Sequence, residues 1–300
     1  MPISELKVLA AQGRYLQVDR DAQRLIASGD LNEMELAEAY LFGAIAKFRL
    51  QEFWGSLKLA ERAMNIPAAT KGTVGMGALM VALNEIEIGD YALAIDHLQT
   101  AMDLIIEADS EDLRRQEGVI HYNMALAHRA RRDWDKANMH FEFAAHVFSQ
   151  KEDMERALDC YREAAWCFLT QGDAARAESL ITKIEAYVQG QPDIDAKWYL
   201  CLLVDRAYTK LCRGEAGEAV ALCEEVCAPG RIAAEDDLRT QASWIAGESA
   251  LLLGQYDQAA FFADFTIDLA MKAQWPAMMN RGNDLRRRIF AERGQADSAG

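Results

Sequence analysis

The sequence predicts an all-α protein, an α-solenoid of about seven stacked helical hairpins followed by a C-terminal capping helix. Three observations support this prediction. A short turn motif recurs at a nearly constant interval, apolar residues between the turns follow helical spacing, and the composition favours helices. Of the 300 residues, 51% are hydrophobic and only five are prolines. Such a chain can bury a long core with helices alone.

The turn motif begins with glycine, continues with an acidic or polar residue and then an aromatic or small one, and has a small residue three positions later. Residues 89–91 (Gly-Asp-Tyr) with Ala94 are a clear example. A glycine suits the first position because the turn needs a positive φ. The motif starts at Gly13, Gln51, Gly89, Arg132, Gly172, Gly214, Gly254 and Gly294.

The intervals between these turns are 38, 38, 43, 40, 42, 40 and 40 residues, with a mean near 40. A fixed period of this length is the signature of a helical repeat. Each repeat therefore consists of a helix A, a tight turn and a helix B. One hairpin cannot bury its apolar face alone, so neighbouring hairpins must stack.

Small and apolar residues fit this arrangement on both sides of the turn. Apolar residues follow the turn at three- and four-residue spacing, as do Ala94, Leu98, Ala101 and Ile105. Small residues in helix A allow the two helices to cross closely. These residues stand seven positions before a turn, at Ala44, Ala82, Ala125, Ala165, Ala207 and Gly247.

The net charge excludes several classes of partner. A formal charge of -15 repels phosphate backbones and anionic lipid surfaces.

The longest uncharged run, residues 72–84, is shorter than the about 20 residues that a membrane span needs. Because the first residues lack a signal-peptide pattern, we expect a cytoplasmic protein. We interpret the basic residues of the last helix as a solvated end cap: Arg281, Arg286, Arg287, Arg288 and Arg293.

No motif in the sequence predicts catalysis. The glycines of residues 72–77 resemble a phosphate loop, but no strand precedes them and Lys71 stands on the wrong side, so we interpret them as a loop at a helix entry. Cys223 and Cys227 lack a second pair that would complete a metal site. The five histidines are interpreted as surface or internally satisfied groups. We expect no enzyme activity, no cofactor and no metal.

From about Ser4 to about Gly294, this pattern resembles the tetratricopeptide repeat (TPR) family. The family's usual unit has about 34 residues, whereas this one has about 40. Units of this length are similar to those of bacterial peptide-sensing regulators and of the helical effector domains of large bacterial activators. Gln51 and Arg132 depart from the expected glycine. The resemblance implies one continuous right-handed superhelix over residues 1–294, and we expect a disordered tail at 295–300.

The resemblance also implies where a partner binds, because helix A residues line the concave groove of TPR proteins. Transferring the family's two groove positions gives pairs four residues apart, such as Leu79 with Leu83 and Val204 with Tyr208. Aromatic residues and arginine are typical of binding hot spots. The predicted peptide- or partner-binding residues are Tyr122, Asn123, Arg162, Glu163, Trp166, Asp205, Tyr208, Trp244 and Glu248.

The main hypothesis is therefore a non-catalytic scaffold or regulatory receptor that binds a protein or peptide segment with basic and apolar residues. The carboxylate clamp of chaperone-binding TPR proteins is not matched, because only Asn123 resembles one of its residues. Two alternatives stay open. One is a ligand-sensing subunit of a bacterial transcriptional system that acts through a partner protein, and the other is a self-assembling homo-oligomer.

Overall fold

The computed structural model describes residues 2–108, 110, 113, 116–191, 194–228 and 236–299. The regular elements in this part of the chain are helices, and it contains no strand. We number the helices of this part of the chain α1 to α15. Their bounds are α1 Ile3–Ala11, α2 Tyr15–Ser28, α3 Glu33–Arg49, α4 Phe53–Met64, α5 Lys71–Ile88, α6 Tyr91–Glu107, α7 Glu117–Ala130, α8 Trp134–Gln150, α9 Met154–Thr170, α10 Ala174–Gln189, α11 Lys197–Cys212, α12 Ala216–Cys227, α13 Asp236–Leu252, α14 Tyr256–Lys272 and α15 Pro276–Ala299.

The helices follow the predicted order, with seven A–B hairpins from α1/α2 to α13/α14 and a final helix α15. The all-α solenoid prediction is confirmed. Local sequence sets the helix starts: Asn32 and Glu35 form a capping box ahead of α3, and the Thr70 side chain accepts a hydrogen bond from the Thr73 backbone ahead of α5. None of the described helices is long and apolar enough to cross a bilayer.

The turns between A and B helices adopt the positive φ that the motif predicts. Gly89 has φ 94° and Gly214 has φ 78°. Gln51 and Arg132, which replace the expected glycine, still adopt φ values of 62° and 64°. The turn geometry is therefore kept at these two positions although a side chain is disfavoured there.

The predicted small residues lie at the A–B crossings. Ala44, Ala82 and Ala125 are fully buried, as are their counterparts in later hairpins. At the last of these positions, a Cβ on Gly247 would lie 2.6 Å from Leu285 Cδ2, so only glycine lets α15 approach α13 this closely.

The glycines of residues 72–77 lie inside helix α5, so their interpretation as a helix-entry loop was wrong. Helix α5 begins at Lys71. The glycines stand in the helix because neighbouring side chains fill the space of a Cβ: such an atom on Gly77 would be 2.6 Å from Met64 Cγ, and one on Gly75 would be 3.1 Å from Leu104 Cβ. Close packing outweighs the low helix propensity of glycine here.

The chain forms two compact units, Met1–Cys160 and Tyr161–Gly300, with the boundary inside α9. The cores of the first unit lie between successive hairpins, for example where Leu79 and Leu98 meet Ile120. In the second unit, Ala250, Leu251 and Ala259 pack against Leu285 and Ile289 of the last helix. The single continuous superhelix and the disordered tail stay predictions.

Helix α15 continues to Ala299, so the chain does not turn at Gly294, where the motif predicted an eighth turn. The arginines of this helix are more than a solvated cap. Arg288 pairs with Glu248, Arg286 with Asp264 and Arg293 with Asp257. Basic side chains thus link the last helix to acidic residues of α13 and α14.

Candidate functional site

The first unit contains an open groove with a volume of about 690 Å³, a size typical of ligand sites. It crosses the A helices α3, α5 and α7 and reaches the first residues of α9. Its uncharged lining is mainly aliphatic and sulfur-containing: Ile45, Phe48, Met76, Leu79, Met80, Leu83, Ile86, Gln116, Val119, Tyr122, Asn123, Leu126, Phe148 and Cys160. A wall of this kind suits apolar side chains.

The repeat register explains why these residues meet. Leu79 and Leu83 stand ten and six positions before one turn, and Tyr122 and Leu126 stand at the same positions before the next. Residues four apart share a helical face, so each A helix presents the same two rows. The groove is therefore the surface that these two rows form in the first unit.

Both predicted binding residues of the first unit line this groove. The Tyr122 ring packs edge-on against Phe141, with ring centroids 5.7 Å apart. The Asn123 side-chain amide donates a hydrogen bond to the Val119 carbonyl at 2.7 Å. That donor is used inside the helix, while the Asn123 side-chain carbonyl is the group able to accept a bond from a ligand.

In the second unit, the predicted residues Arg162, Trp166 and Asp205 bind one another. Arg162 donates to both carboxylate oxygens of Asp205, at 2.7 Å from Nε and 3.1 Å from Nη2, and Trp166 Nε1 donates to Asp205 at 2.7 Å. Asp205 is fully buried. Burial alone lowers the pKa of Arg162, but the Asp205 carboxylate outweighs this effect and keeps the guanidinium charged.

Three aromatic residues of the predicted set form a continuous row in the second unit. The rings of Trp166 and Tyr208 are 4.6 Å apart, and those of Tyr208 and Trp244 are 5.7 Å apart. The Arg281 guanidinium lies 4.6 Å from the Trp244 ring centre and covers that end of the row. Burial raises the pKa of Tyr208, which stays protonated at neutral pH.

The two remaining predicted residues are acidic. Glu248 pairs with Arg288, and Glu163 lies close enough to Arg162 to raise the pKa of its guanidinium. The carboxylates of Asp205 and Glu248, which suggested a basic ligand, are therefore neutralised within the chain. Hydrogen bonds and stacking between the helices already occupy much of this predicted set.

Three histidines of the first unit cluster between α7 and α8. The Nδ1 atoms of His121 and His140 are 3.0 Å apart, and the rings of His128 and His140 stack at 5.5 Å. Burial lowers the pKa of all three, that of His140 to about 4, because a charged imidazole is desolvated there and repels its neighbours. They are internally satisfied groups, as the sequence interpretation proposed.

The cysteines Cys223 and Cys227 show no sign of reactivity. Burial raises the pKa of both thiols, that of Cys227 to about 11. A protonated, buried thiol is a poor nucleophile and a poor metal ligand. Within the described ranges, no three histidine, cysteine or carboxylate side chains are grouped to hold a metal ion.

Solved structures similar to this chain are helical repeat proteins. A tetratricopeptide repeat protein from Parabacteroides merdae ATCC 43184 has a TM-score of 0.63 and 13% identity, covering 93% of this chain and 96% of its own. NprR in complex with its cognate peptide NprX has a TM-score of 0.66 and 13% identity, covering 99% and 84%. Rap protein complexed with Competence and Sporulation Factor has a TM-score of 0.65 and 14% identity, covering 96% and 84%.

The chain has the tetratricopeptide-like fold. No protein-family model and no curated protein matches its sequence. The TPR-like fold was predicted from the turns, and the structural similarity confirms it over almost the whole length.

The sequence predicts only part of this groove. The repeat register places Leu79, Leu83 and Leu126 at groove positions, but the predicted binding residues are Tyr122 and Asn123 of the first unit and seven residues of the second. The prediction did not include Met76 and Met80, which also line the groove. Their signal was present, since Met76 stands three residues before Leu79 and Met80 three residues before Leu83, a spacing that places them on one side of α5.

Proposed function

We propose that the protein is a non-catalytic receptor or scaffold that binds a peptide or an extended protein segment in the groove of the first unit. The observation that supports this proposal is the groove itself, an open and largely uncharged surface formed by residues in the same register on successive A helices. Proteins seldom leave such a surface uncovered unless it binds something.

The structural comparisons support the same kind of ligand. NprR was solved with its cognate peptide NprX, and the Rap protein with Competence and Sporulation Factor. As part of the proposal, the protein acts as a regulatory adaptor in the bacterial cytoplasm, and peptide binding alters its interaction with a partner protein. The first unit takes the ligand because its inner surface is open, whereas the predicted residues of the second unit are bonded to one another.

Leu83→Asp tests the proposal at the floor of the groove. Leu83 is half-buried and lines the groove on α5. We expect a peptide from a random library that binds the wild type to lose at least about tenfold in affinity, because a carboxylate must be desolvated against apolar contacts. Fluorescence polarisation measures the Kd, and circular dichroism verifies that the variant is folded.

Leu93→Asp is the matched control. Leu93 lies on α6, outside the groove lining, and is 48% exposed. The same chemical change there is expected to leave the Kd unchanged. The proposal fails if no library peptide binds saturably, or if both variants weaken binding equally.

A further inference from the structure

The charged residues of the groove lie only at its two ends. Arg49 and Glu87 line one end, each two positions before a turn, on α3 and α5. Arg156 and Asp159 line the other end, near the start of α9. The helix order therefore places an uncharged part of the lining between two pairs of opposite charge.

The two ends differ in how their charges are satisfied. Arg156 pairs with Asp153 at 3.3 Å and lies 5.5 Å from the Phe148 ring centre, and Asp159 takes part in an interaction within the chain. Arg49 lies 5.9 Å from the Tyr15 ring centre. Among the residues that the structure describes, neither Arg49 nor Glu87 takes part in an ion pair.

Arg49 and Glu87 therefore form a dipolar end, with a guanidinium and a carboxylate at the same register position on neighbouring helices. Both side chains are exposed. A ligand group of one charge would be attracted by one of them and repelled by the other. A ligand that carries a carboxylate beside an ammonium would pair with both, and a guanidinium binds a carboxylate through two parallel hydrogen bonds.

We propose that the groove selects a peptide with an uncharged, apolar middle and a terminus where a carboxylate and a cationic group are adjacent, which Arg49 and Glu87 bind. This inference rests on the proposed function and names its ligand class. Two kinds of peptide end offer this chemistry: a free N-terminal amine beside an acidic residue, and a free C-terminal carboxylate beside a basic residue.

The length of the groove sets the length of the peptide. The groove spans four A helices, α3, α5, α7 and α9. Packed helix axes lie about 8–10 Å apart, so a groove that spans four A helices is at least about 25 Å long. An extended peptide advances about 3.3 Å per residue, so about eight residues fill it.

The experiment compares synthetic peptides of about eight residues that share an apolar middle of leucine, valine and alanine. One series ends in lysine with a free carboxylate, lysine amide, leucine with a free carboxylate, or leucine amide. The other begins with glutamate or glutamine, each with a free or an acetylated amine. Fluorescence polarisation measures each Kd on the full chain, and we expect the dipolar ends to bind at least about tenfold tighter than the neutral ends.

Two variants test whether Arg49 and Glu87 cause the tighter binding of the dipolar ends. Arg49→Gln is expected to abolish the preference for the carboxylate, and Glu87→Gln the preference for the ammonium. Arg20→Gln and Glu142→Gln are the controls, because both side chains are exposed and lie outside the groove lining. The series that responds identifies which end of the peptide is bound.

The outcomes separate this inference from the proposed function. Equal affinities for charged and neutral ends, or a preference that survives both variants, would overturn the inference and leave peptide binding in place. If no peptide of either series binds the protein while peptides of the random library do, the inference also fails. If no peptide of any kind binds, the proposed function itself is wrong.

Discussion

The inner surfaces of the two units use the same register positions in opposite ways. In the first unit, the positions ten and six residues before the turns of α5 and α7 hold side chains that line a groove, although Leu79 is itself buried. In the second unit, the side chains at these positions contact neighbouring helices instead. The pairs are Leu79 with Leu83 and Tyr122 with Leu126 in the first unit, and Arg162 with Trp166, Val204 with Tyr208 and Trp244 with Glu248 in the second.

Register alone therefore does not identify a binding site. Register says which residues face the inner side of an A helix. A site also needs those residues to be free of each other, and in the second unit Asp205 holds both Arg162 and Trp166. The second unit is stabilised by directional bonds between its A helices, whereas the first leaves an adaptable, methionine-containing surface.

The largest expected effect comes from breaking the buried pair of the second unit. Asp205→Ala leaves the Arg162 guanidinium, whose side chain is only 14% exposed, without its counter-ion. We expect a loss of about 3–5 kcal/mol in the free energy of unfolding, because the remaining charge is desolvated and unpaired. Urea denaturation followed by circular dichroism measures the loss.

Glu185→Ala provides the comparison in the same unit. Glu185 pairs with Arg206, whose side chain is 49% exposed, so water and salt screen the interaction. Removing this ion pair should lower the free energy of unfolding by less than about 1 kcal/mol. Similar losses in the two variants would mean that the second unit does not depend on its buried pair, and the contrast between the two inner surfaces would then be wrong.

The sequence could predict the fold because turn chemistry and period are local. A positive φ at Gly89 or Gly214 follows from the residue itself, and the repeat length follows from counting. The eighth turn is not formed, since Gly294 lies within α15, which runs on to Ala299. Likewise, the glycines at the start of α5 look like a loop until Met64 and Leu104 are placed beside them.

The candidate binding site was less predictable because it depends on contacts between repeats. Arg162 and Asp205 are 43 residues apart, and no spacing rule tells whether they pair or bind a ligand. Aromatic and charged residues were selected as hot spots, whereas the open surface in the first unit is mostly aliphatic. The position of α15 was also needed to predict two further contacts, the pairing of Glu248 with Arg288 and the stacking of Arg281 on Trp244.

A second prediction uses the fact that all five histidines lie in the first unit. Because burial lowers the pKa of His140 to about 4 in the folded state, the unfolded chain binds more protons between the ordinary value near 6.5 and 4. The stability contributed by neutral His140 is therefore complete above pH 6.5 and is lost as the pH falls toward 4. Full conversion of this pKa difference gives about 3 kcal/mol, but His140 is only partly buried and water screens its charge, so we expect a loss of about 2 kcal/mol.

His140→Gln isolates this contribution from the titration of carboxylates. Burial lowers the pKa values of His121 and His128, an effect that Glu117 and Asp133, respectively, partly offset, whereas Lys136 and Arg131 oppose protonation within the cluster. Glutamine removes the titrating group and can still hydrogen-bond to His121. The variant should lose less stability than the wild type between pH 6.5 and 4. His146→Gln, in the same helix but exposed, should follow the wild-type pH profile.

The smallest expected effect concerns the turns, where the units also differ. The A–B turns of the second unit all begin with glycine, whereas two A–B turns of the first unit place a side chain at positive φ, at Gln51 and Arg132. Arg132→Gly should raise the free energy of unfolding by about 0.5–1 kcal/mol, because glycine reaches φ 64° without strain.

Gly214→Ala should lower the free energy of unfolding by about 1 kcal/mol. A Cβ at this position meets no atom within 4 Å, so the loss measures backbone strain alone. Arg132→Ala tests whether backbone strain is the cause. If this variant raises the free energy of unfolding as much as Arg132→Gly does, the strain comes from the arginine side chain and not from its φ.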